Sequence, residues 1–94
     1  MANPFFVAVG ERVKAIRLES GLSREEAAGR MQLNPFFLAR VERGEQNLSL
    51  MTIGRIALGL ECPVTRLFDG IEPDSSLLEP RPRKNHREPR LRQT

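Results

Sequence analysis

The sequence predicts an all-α fold, a compact five-helix bundle. Three observations carry this. Apolar residues recur at steps of three and four, and no stretch alternates with period two, so no sheet is expected. Capping residues stand in front of the apolar runs, and two of them are followed by proline. Glycines close several of the runs.

The first helix opens at Asn3-Pro4 and carries Phe5, Phe6, Val9, Val13 and Ile16 on one face, and Gly21 supplies a left-handed stop. The second opens at Ser23, which with Glu26 three residues on forms a capping box that satisfies two orphan backbone donors. Ala27, Ala28 and Met31 give it an apolar side. The third opens at Asn34-Pro35, buries Leu38 and Val41, and ends at Gly44. Ser49 caps the fourth, whose stripe is Leu50, Ile53, Ile56, Ala57 and Leu60. The fifth is short and starts at Pro63, with Val64, Leu67 and Phe68 facing inward.

The chain has 94 residues, enough for one small domain, placed at residues 1–70. A core this modest favours pairing with a second copy. Residues 71–94 are rich in Pro, Arg and Glu, and are expected to form a disordered tail, because they offer little apolar surface to offset the entropy of ordering. Charge is uneven: residues 1–70 balance to +1, residues 71–80 to −3 and residues 81–94 to +5. The basic tail, Arg81–Arg92, either grips phosphates or is merely solvated.

Cys62 is the only cysteine, so no intramolecular disulfide forms, and a reducing cytoplasm is expected. It reads as a packing residue. His86 has no second ligand nearby, so no metal site or cofactor is expected. No apolar run approaches the roughly 20 residues needed to span a bilayer, and no secretory signal is expected. No His, Cys and carboxylate cluster, phosphate loop or activated nucleophile points to an enzyme.

Ser23–Met31 and Asn34–Arg43, joined at Gln32 and Leu33, have helix-turn-helix dimensions, with Leu33 available to lock the pair. Spacing alone does not separate this unit from any hairpin of a helical bundle. Its residues add a resemblance. Arg17, "GLSREEAA" at Gly21–Ala28, "VERG" at Val41–Gly44, "IA" at Ile56–Ala57 and "LF" at Leu67–Phe68 occur in register. The stretch resembles the Xre or phage-repressor type of helix-turn-helix protein. "NLSL" at Asn47–Leu50 and "GLE" at Gly59–Glu61 bring it nearest to the controller proteins of restriction–modification systems.

The resemblance implies a homodimeric transcription regulator that binds a palindromic duplex-DNA operator. It pairs Arg17 with Glu42, joining the first helix to the recognition helix. It places Arg24, where relatives often have Gln, on a DNA phosphate. It puts Asn34, Pro35, Phe36, Ala39 and Arg40 against base edges. Pro35 and Phe36 donate no side-chain hydrogen bond, and capping engages Asn34, so Arg40 is the strong donor, suited to guanine. Phe36 is expected outward, against thymine methyls, and Phe37 inward. Arg43, Gln46 and Asn47 are phosphate candidates, although Leu48 stands where relatives usually have Pro. Leu58, Leu60 and Val64 are the expected dimer interface, and Glu61 takes a place where many relatives carry Gly.

Two further readings stay open on the residues. The same fold serves antitoxin-type regulators, and Pro35, Phe36 and Phe37 also suit a protein-interaction module. A gel shift over a range of salt separates DNA from protein recognition.

Overall fold

The structure, a computed structural model, describes residues 3–78. It contains α1 (Pro4–Glu19), α2 (Arg24–Met31), α3 (Pro35–Glu42) and α4 (Leu50–Leu60), followed by 3-10 turns at Val64–Leu67 and Ser75–Leu78. No strand occurs among the described residues.

Each α-helix begins with a side-chain cap. Asn3 Oδ1 accepts from the N–H groups of Phe5 at 2.8 Å and Phe6 at 3.3 Å. Ser23 Oγ accepts from the Glu26 N–H at 3.0 Å, while the Glu26 carboxylate accepts from the Ser23 N–H at 2.8 Å. These bonds, backbone contribution first, hold the Glu26 carboxyl below the usual carboxylate range. Asn34 and Ser49 cap α3 and α4 in the same way. Such caps matter because α2 and α3 have eight residues each, too few to persist alone in water.

The core is one cluster, with Val13, Ile16, Met31, Leu38, Ile56 and Leu67 its largest sealed side chains. α2 packs chiefly on α4, and α1 on α3. Both crossings are close because a glycine sits in each. A Cβ on Gly10 would collide with the Val41 carbonyl oxygen across the α1–α3 contact. A Cβ on Gly59 would lie 2.5 Å from Met31 Cγ and 3.0 Å from the Met31 backbone nitrogen. Gly44 has both demands at once, a φ of +77° and the Val7 backbone directly against it.

Two sequence expectations are corrected. Among the described residues there are four α-helices, not five: Val64–Leu67 is a single 3-10 turn without a side-chain cap, and Phe68 at φ −119° leaves helical space. Four residues do not repay helix nucleation, and one 3-10 turn buries the same three-residue spacing. Leu67 is buried and Phe68 partly so, but Val64 is 45% exposed rather than inward. Leu60 is the second correction: at 5% exposure it belongs to the core, so its side chain is not free for a dimer interface.

Residues 71–78, assigned to the tail from the sequence, include Ile71 packed on the core and the second 3-10 turn. The remainder of that segment, with His86 and Arg81–Arg92, lies outside the described residues.

Close packing at Gly10 gives a stability prediction. Gly10→Ala lowers folding stability by about 1–3 kcal/mol through overpacking. Gly29→Ala, on the open side of α2 with nothing within 4 Å, raises it by up to about 1 kcal/mol. Thermal denaturation at one protein concentration reads both.

Candidate nucleic-acid interface

The site is built on a buried carboxylate. Glu42 ends α3, and Arg17 lies in the last turn of α1. Arg17 Nε donates to Glu42 Oε2 at 2.6 Å and Nη2 to Oε1 at 3.1 Å, a bidentate pair. Their side chains are 6% and 2% exposed. Arg17 Nη1 also donates to the Leu22 carbonyl at 2.9 Å, which pins the turn before α2. A third group joins: Arg24 Nε donates to Glu42 Oε1 at 3.3 Å, with its own side chain 40% exposed. One carboxylate thus ties together the end of α1, the start of α2 and the end of α3.

The turn between α2 and α3 is set by backbone. Gln32 adopts φ 57°, and the Leu33 N–H donates to the Ala28 carbonyl at 2.9 Å. Leu33 packs against the core from this position. α3 then leaves the turn with its first residues at the surface.

On α3, Asn34 Oδ1 accepts from the Phe36 N–H at 2.7 Å and the Phe37 N–H at 3.4 Å. Its carboxamide oxygen is engaged, and its NH2 is left to donate. Phe36 is 76% exposed, whereas Leu38 and Val41 are buried on the opposite side. Pro35 and Ala39 are half-buried. Phe37 packs partly on the core, and the exposed Arg40 guanidinium lies 5.9 Å from its ring centroid, in cation–π range. Phe36, Phe37 and Arg40 share one shallow, open surface with Gln32, Leu33, Asn34 and Thr52.

After α3, Arg43 forms an exposed two-bond pair with Glu45, at 3.0 and 3.1 Å. The pairing holds the Glu45 carboxyl below its ordinary range and raises the Arg43 guanidinium above its own. Such exposed pairs contribute little to stability. Gln46 is half-buried and Asn47 exposed in the same loop. Leu58 lies elsewhere, on the exposed side of α4.

Sequence reasoning paired Arg17 with Glu42, as the structure has them, but named the other positions singly and missed two of their partners. Arg24 shares Glu42 with Arg17, a contact across 18 residues with no local signal. Arg40 stacks on Phe37, and here a signal existed: residues three apart are neighbours on a helix surface. Among the described residues no helix is long and apolar enough to cross a membrane, and no group of three His, Cys, Asp or Glu is placed to hold a metal ion.

Removing the shared carboxylate is expected to be severe. Glu42→Ala leaves Arg17 buried and unpaired and lowers stability by about 3–5 kcal/mol, read by denaturant unfolding. Unchanged stability would deny the carboxylate this role.

Comparison with known proteins fits this geometry. A family model described as a helix-turn-helix domain matches residues 8–67. Control protein C.MunI of a Mycoplasma species is 31% identical over 71 residues, 74% of this chain and 96% of that protein. The crystal structure of the restriction–modification controller protein C.AhdI from Aeromonas hydrophila is 35% identical, with a TM-score of 0.66 over 67% of this chain and 96% of that chain. The controller protein C.Esp1396I, solved as a tetramer in complex with its natural 35 base-pair operator, is 28% identical, with a TM-score of 0.67 over 71% of this chain and 88% of that chain. The chain belongs to the helix-turn-helix family, in the branch that holds phage repressors and the controller proteins of restriction–modification systems.

Proposed function

We propose that this chain is a sequence-specific regulator of transcription that binds duplex DNA as a homodimer on a two-fold operator, and that it serves as the controller of a restriction–modification operon. The observation that carries this is the exposed first turn and Arg40 side of α3, held by the buried Arg17–Glu42 pair and by Arg24 beside it. The relatives support it: they are control proteins and repressors, and one of them was solved on its operator. The role is one of binding rather than catalysis, exerted in the cytoplasm or nucleoid where the operator lies.

In this reading α3 enters the major groove. Arg40 takes guanine through its paired acceptors, and the Asn34 amide donates to a neighbouring edge. Pro35, Phe36 and Ala39 fit groove shape and methyl groups. Arg24, Arg43, Gln46 and Asn47 take phosphates. With few base donors per subunit, backbone contacts and DNA shape supply much of the affinity.

The second copy fits on α4. Leu50 and Leu58 lie eight residues apart on one helix face, with Met51 beside them, and all three are strongly exposed. Gly54 sits between them with nothing within 4 Å. Leu58 and Val64 from the sequence reading remain in this interface, and Met51 and Leu50 join them in place of Leu60. A two-fold pair sets its recognition helices about 34–36 Å apart, one turn of DNA.

Base scanning of the operator separates the roles. Arg40→Ala weakens binding and relaxes selectivity at one guanine per half-site, by about 1–3 kcal/mol. Arg24→Ala weakens every sequence alike and lowers the salt slope of binding by about one per subunit. Uniform weakening by Arg40→Ala would make it a phosphate ligand instead. Leu58→Lys is expected to convert a dimer to a monomer in sedimentation, with loss of operator affinity. A dimer that survives the substitution would place the interface elsewhere.

A further inference from the structure

The first turn of α3 presents an apolar surface where a DNA reader usually presents donors. Pro35 and Phe36 offer no polar side-chain atom, and the Asn34 oxygen is held by two backbone N–H groups. Phe36 is 76% exposed and contributes nothing to the core, which is filled on the other side by Leu38 and Val41. It lies on the shallow, open surface that also holds Arg40. They stand four positions apart, about 6 Å along the helix axis, or roughly two base-pair steps of duplex.

The edges of base pairs in the major groove are acceptors and donors, with one apolar exception, the methyl group at C5 of a pyrimidine. A phenyl ring pressed on the polar edges would desolvate them without giving a partner back. We propose that Phe36 makes this reading face a detector of the pyrimidine C5-methyl group, accepting thymine and 5-methylcytosine alike and binding uracil and unmethylated cytosine less tightly. The proposal rests on the DNA-binding reading above. The methyl occupies the same ring position in both bases, and a phenyl ring cannot read the C4 substituent that distinguishes them. Arg40, held over the Phe37 ring, fixes a guanine within about two base pairs of the methyl. Occupancy of such an operator depends on cytosine C5-methylation of the DNA wherever a cytosine stands at the Phe36 position.

The test uses the full-length chain. Duplexes are selected from a random library, and each thymine of the selected site is replaced in turn by uracil, which removes the methyl and keeps the pairing. One thymine per half-site, within about two base pairs of the guanine that Arg40 requires, loses about fourfold in affinity, the worth of one buried methyl. At that position a 5-methylcytosine·guanine pair binds about fourfold tighter than cytosine·guanine. Phe36→Ala, at an exposed position that leaves the core intact, erases both differences. Equal affinities with and without the methyl in the unaltered chain overturn the proposal. So does a methyl preference that survives in Phe36→Ala. DNA affinity unmoved by Phe36→Ala overturns it too, and assigns the exposed ring to a protein partner. A chain that selects no duplex at any salt concentration overturns the DNA-binding reading itself, and this inference with it.

Discussion

The fold turns on one carboxylate that has been taken out of water. Glu42 is sealed among α1, α2 and α3, and a charge in that setting is tolerated only when its lone pairs are filled by charged donors. Arg17 fills both oxygens, and Arg24 shares one of them. Because each donor comes from a different helix, satisfying Glu42 fixes three helices at once. The angle between α2 and α3, which defines the reading unit, is a consequence. Apolar packing of Leu38 and Val41 holds α3 in the core, but such packing tolerates sliding, whereas a bidentate pair does not.

The same device recurs outside the core in weaker form. Each arginine assigned to DNA has a partner on the protein: Arg24 has Glu42, Arg43 has Glu45, and Arg40 has the Phe37 ring. Holding a long side chain in place before binding lowers the entropy lost on contact. This arrangement suits a body that is nearly neutral, since residues 1–70 carry a balance of only +1. On the proposed reading, affinity rests on a few placed cations rather than on a broad positive field.

Much of this was legible in the sequence because much of it is local. The caps at Asn3, Ser23, Asn34 and Ser49 involve partners two or three residues away, and each was read correctly from residue type alone. So were the stops at Gly21 and Gly44, which have positive φ. The left-handed Gln32 and Glu61 were not read, because a non-glycine at that conformation is imposed by the helix ends it connects. The fifth helix failed for a related reason: a spacing of three fits one turn of any helix, and only length separates a 3-10 turn from an α-helix. On α4 the stripe placed Leu60 with Ile53, Ile56 and Ala57, which is where the core takes it, so its assignment to the dimer interface was at odds with its own periodicity; Leu50, read on the same stripe, is instead exposed at the first turn. The tight crossings at Gly10 and Gly59, and the role of Arg24 beside Glu42, join residues far apart in the chain and leave no pattern within either segment.

The central claim is that Arg17 and Glu42 act as one unit. A double-mutant cycle of Arg17→Ala and Glu42→Ala, followed by denaturant unfolding at fixed protein concentration, measures this directly. The account predicts a coupling energy of about 2–3 kcal/mol, since Glu42→Ala strands the Arg17 charge and Arg17→Ala leaves the Glu42 carboxylate with Arg24 alone. Additive losses, with coupling within about 0.5 kcal/mol of zero, would contradict it.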